Sequence, residues 1–130
     1  MKKKKADNSL AAEFLKSAPH IVLQIVEYIP ESVLSKTILK KVTGNITAMS
    51  VDTGETIAEQ TLAFDTFIQI IDGAAEITIN KEKHQLGVGD GIIIPAHALH
   101  SITANEQFKM VSTIIKSGYE DVPVLPIVVA

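Results

Sequence analysis

Four histidines are the side chains of this 130-residue chain best suited to acid–base chemistry or metal binding. His97 and His100 share one stretch, Pro-Ala-His-Ala-Leu-His, whereas His20 and His84 stand alone. His20 follows a proline and His84 follows a charged turn, so both are expected on the surface. The chain has no cysteine, which excludes disulfides, thiolate metal sites and a cysteine nucleophile. The chain is therefore interpreted around residues 89–104, the stretch that holds both of the other histidines.

Other kinds of chemistry have no support in the sequence. No serine stands in a nucleophile-elbow pattern, and no glycine-rich loop could hold a phosphate. Glu59 and Glu76 are single carboxylates, typical of a solvated strand face. The net charge of −3 is small, and no basic face carries interleaved aromatics, so no nucleic-acid partner is expected. No run approaches the ~20 apolar residues of a membrane span, and Lys2 to Lys5 are followed by polar residues, so we expect no membrane partner and a cytoplasmic location.

The elements that must position these side chains are short strands. Gly89-Asp90-Gly91 signals a turn, Ile92 to Ile94 favours a strand, and Pro95 ends it because proline cannot donate to a sheet ladder. Similar runs, with turns every 8 to 12 residues and no long helix, predict a sandwich or barrel. The predicted strands are Val33 to Val42, Ile46 to Val51, Ala58 to Leu62, Thr66 to Ile71, Ala75 to Ile79, His84 to Val88, Gly91 to Ile94, His100 to Thr103 and Phe108 to Ile115.

The ends of the chain are expected to lie outside this barrel. Ser9 can cap a short helix over Leu10 to Ser17, and Ile21 to Ile29 reads as a strand or an irregular arm packed on the sheet. We predict three parts: a tail, helix and arm in 1–34, a barrel in 35–116 and an apolar, proline-broken segment in 117–130. Gly54, Gly73 and Gly89 are predicted in turns. The predicted core includes Ile70, Ile77, Ile79, Ile93, Ile102 and Val111.

Two stretches resemble the conserved motifs of the cupins. Gly89, Pro95 and His100 keep the spacing of the second motif, with His97 where the family often has glycine. Gly54, the run Gln60-Thr61-Leu62-Ala63-Phe64-Asp65-Thr66 and Gly73 keep the spacing of the first. The resemblance implies an all-β fold of the cupin type, a double-stranded β-helix or jelly-roll barrel. The likeness extends to small single-domain cupins of unknown function.

The resemblance also implies where a metal site would lie. A cupin metal centre takes two histidines and a carboxylate from the first motif and a histidine from the second. Here those positions read Gln60, Leu62, Thr66 and His100, so one imidazole remains. Imidazole and carboxylate together suit transition metals, but an amide, an isobutyl group and a hydroxyl do not replace them. We therefore expect no stoichiometric metal cofactor; if a metal binds, it would use His100 with Gln60.

Three functions stay open at this point. The first is a small-molecule-binding cupin, in which Gln60, Leu62, Thr66, Gln69 and His100 line the barrel mouth. The second is a metal-dependent oxygenase or isomerase that uses His100 with unusual ligands. The third is a structural or interaction protein whose barrel is filled by side chains, with His100 bonded to a nearby polar group such as Gln60. Under each, we expect a homodimer, because a small open barrel leaves a strand edge that the terminal segments can cover.

Overall fold

The structure, a computed structural model, describes residues 13–119 and is built almost entirely of β-strands. The strands are β1 (Val33–Lys41), β2 (Gly44–Val51), β3 (Thr56–Gln60), β4 (Asp65–Ile79), β5 (Glu82–Gly87), β6 (Gly91–Ile94), β7 (His100–Thr103) and β8 (Phe108–Ile115). All their pairings are antiparallel. No helix in this part of the chain is long and apolar enough to cross a membrane.

The strands form two sheets that share β4. Sheet A has the order β1-β2-β8-β4-β6 and uses the first half of β4. Sheet B has the order β3-β7-β4-β5 and uses the second half. Because a single strand passes from one sheet to the other, the sheets curl into a jelly-roll barrel. The predicted all-β jelly roll is confirmed.

The passage of β4 between the sheets depends on Gly73. The register with β8 shifts between Ile70 and Asp72, which marks a bulge where the strand bends. Gly73 follows with φ +70°, and a Cβ there would lie 2.0 Å from the carbonyl oxygen of Gln107. The prediction of a turn at Gly73 is therefore wrong, since the residue bends a continuous strand. Gly54 and Gly89 do lie in turns, and Pro95 follows the end of β6.

Strand alternation separates a buried inner face from an outer face. On β4 the inner positions are Thr66, Ile68 and Ile70, and the outer ones between them are exposed. The core cluster of the barrel comprises Val51, Ile68, Ile70, Ala75, Ile77, Leu86, Ile94, Ala98, Ile102, Ala104, Phe108 and Met110.

Three of the six residues predicted for the core are buried. Ile70, Ile77 and Ile102 are buried, whereas Ile79 and Val111 are partly exposed. Ile93 is 64% exposed, which contradicts its predicted burial. In a four-residue strand of three isoleucines, hydrophobicity does not reveal which residues face inward, and Ile92 and Ile94 take the inner positions.

The residues before β1 form an arm against the outer face of sheet A. Ile25 and Val26 are buried against Ala48 of β2, and the Ser50 hydroxyl donates to the carbonyl oxygen of Glu27 over 2.6 Å. A three-residue 3-10 helix, Val22–Gln24, is the one regular element of the arm within the described residues. Of the two alternatives for Ile21 to Ile29, a strand or an irregular arm packed on the sheet, the structure has the irregular arm.

The helix predicted over Leu10 to Ser17 is wrong for its described part, and residues 10–12 lie outside the described residues. Residues 13–17 form a bend and a turn, with Ser17 at φ 61°. Phe14 instead donates its N–H to Ile38 and Glu13 accepts the N–H of Lys40, so this segment covers the edge of β1. Tertiary pairing has overridden local helix preference here. The predicted C-terminal segment lies outside the described residues after Tyr119.

Polar contacts of Tyr28 and Lys109 also hold the arm against the barrel. The Tyr28 hydroxyl donates to Asp72 Oδ2 over 2.5 Å, and the Lys109 ammonium lies 4.9 Å from the centre of the Tyr28 ring. Lys109 also donates to the carbonyl oxygen of Leu23. Burial, followed by the bond to Asp72, raises the pKa of the Tyr28 phenol.

Candidate site at the inner face of the barrel

His100 occupies the first position of β7 and points into the barrel. It has the same alternation as Ile102, a core residue, and is 4% exposed. Its Nδ1 lies 3.1 Å from the carbonyl oxygen of Ala98. A carbonyl only accepts, so Nδ1 carries the proton, and in the neutral ring Nε2 is left as an acceptor. The expected bond from His100 to Gln60 is not formed; the partner is the backbone at Ala98.

Thr66 contributes a second polar group to this interior. It lies on the inner face of β4, opposite Ile94 of β6, and is 4% exposed. Within residues 13–119 its Oγ1 is the one buried side-chain nitrogen or oxygen without a hydrogen-bond partner. Buried hydroxyls are nearly always paired with protein or with water. This hydroxyl therefore lacks the hydrogen bond that nearly all buried hydroxyls have.

Ser112 is an interior hydroxyl that the sequence interpretation missed. It is 9% exposed and pairs across strands with Ile68. It shares the inward alternation of Phe108 and Met110 on β8. The sequence contains the signal that would have found it, since alternation along the predicted strand Phe108 to Ile115 puts Ser112 on the same face as Phe108 and Met110. Thr66, His100 and Ser112 are three of the four buried polar side chains of the described region.

The other predicted site residues, Gln60, Leu62 and Gln69, are not buried in the barrel interior. Gln60 ends β3 directly opposite His100 in the β3–β7 pairing, but its side chain is exposed at the strand end. Leu62 is half-buried, and its carbonyl oxygen accepts the N–H of His97 over 2.6 Å. Gln69 is exposed on the outer face of β4, because it is three positions after Thr66 and an odd offset along a strand reverses the side-chain direction. The structure thus brings Gln60 and His100 to neighbouring strands, and corrects the placement of Gln69 in the mouth.

The turn before His100 is held by groups of the first motif. Asp65 Oδ1 accepts the N–H of Ala96 over 2.8 Å, and the Asp65 N–H donates to the Tyr119 hydroxyl over 2.7 Å. His97 is exposed in this turn with φ 69°, as expected for a position where cupins often have glycine. Asp65 and His97 therefore position the segment leading to His100 and lie outside the interior.

Two other polar groups lie away from the interior. Glu76, on the outer face of sheet B, accepts from Gln85 over 3.0 Å and from Asn105 over 3.1 Å. These bonds, that of Gln85 first, lower the pKa of the Glu76 carboxyl. His84 lies 3.9 Å from Glu82 at the surface. The surface placement predicted for both residues is confirmed.

The donor set of the interior does not fit a transition metal. The position of the motif carboxylate is Thr66, and Leu62 has no ligand atom in its side chain. No group of three or more histidine, aspartate or glutamate side chains within residues 13–119 is placed to hold an ion. Transition metals in proteins need several imidazole, carboxylate or thiolate ligands at once. His100 and two hydroxyls do not supply them.

The comparisons with known proteins agree with this architecture. The profile of the cupin domain matches residues 48–114. The chain belongs to the cupin family. A conserved protein of unknown function from Streptococcus pyogenes is 28% identical, with a TM-score of 0.77 over 82% of this chain and 93% of that one. A cupin superfamily protein from Desulfitobacterium hafniense is 27% identical, with a TM-score of 0.75 over 81% of this chain and 96% of that one.

A more distant likeness concerns the fold alone. A cupin 2 conserved barrel domain protein from Leptotrichia buccalis is 24% identical, with a TM-score of 0.70 over 72% of this chain and 46% of its own length. The search of curated proteins gives no match. The chain is thus a cupin-domain protein similar to cupins without an assigned function, as its motifs predicted.

Proposed function

We propose that this cupin binds a small neutral molecule that carries hydroxyl groups, inside the barrel and without a stoichiometric metal. The observation that carries the proposal is the buried Thr66 Oγ1, which has no hydrogen-bond partner within residues 13–119. A hydroxyl left in this state costs about 1–3 kcal/mol, and a ligand that bonds it removes that cost on binding.

The chemistry of the ligand follows from the neighbouring groups. His100 Nε2 accepts a hydrogen bond in the neutral ring, whereas Thr66 and Ser112 can either donate or accept. A hydroxyl group of a ligand satisfies both kinds of partner. No buried side chain of the described region is an acid, a lysine or an arginine, so a charged ligand would lose its hydration without compensation. These features favour an alcohol, a polyol or a sugar-like compound.

The Thr66→Val variant tests the proposal. It removes the hydroxyl while nearly keeping the volume, so the free protein should gain about 1 kcal/mol or more in its free energy of unfolding. The variant should also lose the saturable rise in melting temperature that a bound neutral polyol or sugar gives to the wild type, measured at ligand concentrations too low for the general stabilising effect of such osmolytes. Thr78→Val, the same change on the outer face of β4, is the matched control and should keep that rise. Equal responses of the two variants would contradict the proposal.

Metal content separates the proposal from the enzyme alternative. Untagged protein, dialysed and measured by elemental analysis, should contain far less than one transition-metal ion per chain. One metal per chain that disappears in His100→Ala would overturn the proposal and put the hypothesis of a metal-dependent oxygenase or isomerase first.

A structural or interaction role is the second candidate. It is favoured by the apolar cluster of twelve residues that fills much of the barrel. A structural barrel predicts that Thr66→Val stabilises the protein and that no neutral compound raises its melting temperature. We also propose a cytoplasmic location, which the absence of cysteine supports.

A further inference from the structure

The carbonyl group that bonds the His100 ring is itself held from outside the barrel. This carbonyl, on Ala98, accepts from His100 Nδ1 over 3.1 Å and belongs to the peptide group that joins Ala98 to Leu99. We call this group the 98–99 peptide. Its N–H, on Leu99, donates to Asn80 Oδ1 over 3.2 Å. Because a peptide group is planar, the bond to Asn80 also orients the carbonyl that His100 uses.

Asn80 lies in the tight turn between β4 and β5. The turn has two residues, Asn80 at φ 49° and Lys81 at φ 71°, since Ile79 pairs with Glu82 on either side of it. Asparagine adopts a positive φ more readily than most residues and is favoured in hairpin turns of this length. The N–H of Asn80 donates to the carbonyl oxygen of Leu99 over 2.7 Å. Both backbone groups of Leu99 are therefore bonded to Asn80, one by its main chain and one by its side chain.

Other contacts of the segment before His100 hold earlier peptide groups. Asp65 Oδ1 accepts the N–H of Ala96 over 2.8 Å. The carbonyl oxygen of Leu62 accepts the N–H of His97 over 2.6 Å. These bonds fix the start of the segment, whereas Asn80 Oδ1 bonds the 98–99 peptide itself.

We propose that Asn80 is a positioning residue for His100, which holds the 98–99 peptide so that the imidazole keeps its proton on Nδ1 and presents Nε2 as an acceptor. The consequence for ligands rests on the proposed function, in which Nε2 accepts from a ligand hydroxyl. A ring with its proton on Nε2 would donate instead, and would select a carbonyl or ether oxygen. Asn80 thus determines which class of neutral ligand His100 favours, although Asn80 itself is exposed at the surface.

His20 shows that the carbonyl partner, and not the fold as a whole, decides the tautomer. The Nε2 of His20 lies 2.9 Å from the carbonyl oxygen of Leu15, so in this ring the proton is on Nε2. His20 is exposed, whereas His100 is 4% exposed. A buried ring can change its tautomer only by giving up its bond to Ala98, so the orientation of the 98–99 peptide matters most at His100.

Nuclear magnetic resonance of the isotope-labelled full chain tests where the proton lies. At about pH 8.5 a histidine with an ordinary pKa of about 6.5 is neutral, and its protonated and unprotonated ring nitrogens differ widely in chemical shift. The His100 signals, identified by their loss in His100→Gln, should show the proton on Nδ1, and those of His20 should show it mainly on Nε2. A His100 proton on Nε2 in the wild type would overturn the proposal without any variant at Asn80.

Two variants separate the side chain of Asn80 from its backbone. Asn80→Gly adopts a positive φ without strain and keeps the N–H that bonds Leu99, but it lacks Oδ1. Asn80→Asp keeps an acceptor oxygen and is the matched control. Loss of one orienting hydrogen bond should lower the ratio of the Nδ1 to the Nε2 tautomer about fivefold in Asn80→Gly. An unchanged ratio in Asn80→Gly, or an equal fall in Asn80→Asp, would overturn the proposal.

Amide hydrogen exchange verifies that the turn stays folded. In Asn80→Gly the N–H of Leu99 should exchange faster than in the wild type, while the N–H of residue 80, bonded to the Leu99 carbonyl, should stay protected. A faster Leu99 amide together with an unchanged His100 tautomer would show that the ring does not depend on Asn80.

A pair of neutral probes of similar size connects the tautomer to the proposed function. Cyclohexanol can donate a hydrogen bond, whereas cyclohexanone can only accept one. In ligand titrations the wild type and Asn80→Asp should prefer cyclohexanol by about fivefold, and Asn80→Gly should lose that preference. A preference that persists in Asn80→Gly would contradict the role of Asn80 in ligand choice. A wild type that binds neither probe would count against the proposed function, whereas the tautomer spectra decide the role of Asn80 separately.

Discussion

Gly73→Ala is the substitution for which the structure predicts the largest backbone effect. A methyl group there would lie 2.0 Å from the carbonyl oxygen of Gln107 and 2.8 Å from the Cα of Phe108. Both obstacles are backbone atoms, so no side-chain rotation can relieve the contact. Gly89 is the matched control, because its φ of +92° also favours glycine but a Cβ there would meet nothing within 4 Å.

The magnitude can be built from two contributions. Alanine at a positive φ costs about 1–2 kcal/mol, and the lower entropy of the unfolded chain returns about 0.4–1 kcal/mol. Gly89→Ala should therefore lose about 1 kcal/mol. Gly73→Ala has the same cost of a positive φ. In addition, β4 must move away from residues 107–108 by more than about 1 Å to restore ordinary contact distances. That movement disturbs the packing of Phe108, which is fully buried and whose truncation would cost about 3–5 kcal/mol. A total of about 3–5 kcal/mol is expected.

Urea unfolding of the two variants measures the difference. The free energy of unfolding of Gly73→Ala should fall below that of Gly89→Ala by roughly 2–4 kcal/mol, the steric part of the estimate above. Circular dichroism before denaturation verifies that the wild type and Gly89→Ala start folded. Equal losses in the two variants would refute the close approach of β4 to residues 107–108, and with it the account of how one strand serves both sheets.

Three further measurements follow from the same structure. Ile77→Ala should lose about 2–5 kcal/mol, and Ile93→Ala less than about 1 kcal/mol, since only Ile77 is fully buried; similar losses in urea would show that the faces are misassigned. His97→Gly should gain up to about 1 kcal/mol, because it removes a side chain from φ 69°; a loss would mean that the imidazole makes a stabilising contact. Because the pKa of Tyr28 is raised, the folded state keeps a proton that the unfolded state loses above about pH 10. The free energy of unfolding should therefore fall as the pH rises beyond about 10, and Tyr28→Phe should reduce that fall.

The fold could be predicted because its signals are local. The runs around Gly54 and Gly89 and the proline after Ile94 mark strand ends by backbone chemistry, and those positions agree with the structure. Gly73 carries the same local signal as Gly89, yet it bends a strand that continues to Ile79. The difference lies in Gln107 and Phe108, which approach Gly73 from a distant part of the sequence. Long-range contact, which no local pattern contains, decides between a turn and a bend.

The site could be predicted in part, for a similar reason. Motif spacing brought Thr66 and His100 to the inner face, and Gln60 opposite His100. Gln69 was placed with Thr66 although the two are an odd number of positions apart, so strict alternation would have corrected that placement. The bond from His100 to Ala98 could not be predicted, since the geometry of the preceding turn selects it.

The polar groups of the barrel interior link stability to binding. Thr66 Oγ1 contributes no hydrogen bond to the described fold, so its burial lowers the stability of the free protein. A molecule that bonds this hydroxyl restores about 1–3 kcal/mol, which corresponds to about 5- to 150-fold in affinity. An apolar compound of equal size gains nothing from Thr66 and leaves His100 Nε2 without a donor. Under the proposed function, the one hydroxyl that lowers the stability of the free protein also favours a hydroxyl-bearing ligand, so Thr66→Val should raise stability and abolish that preference together.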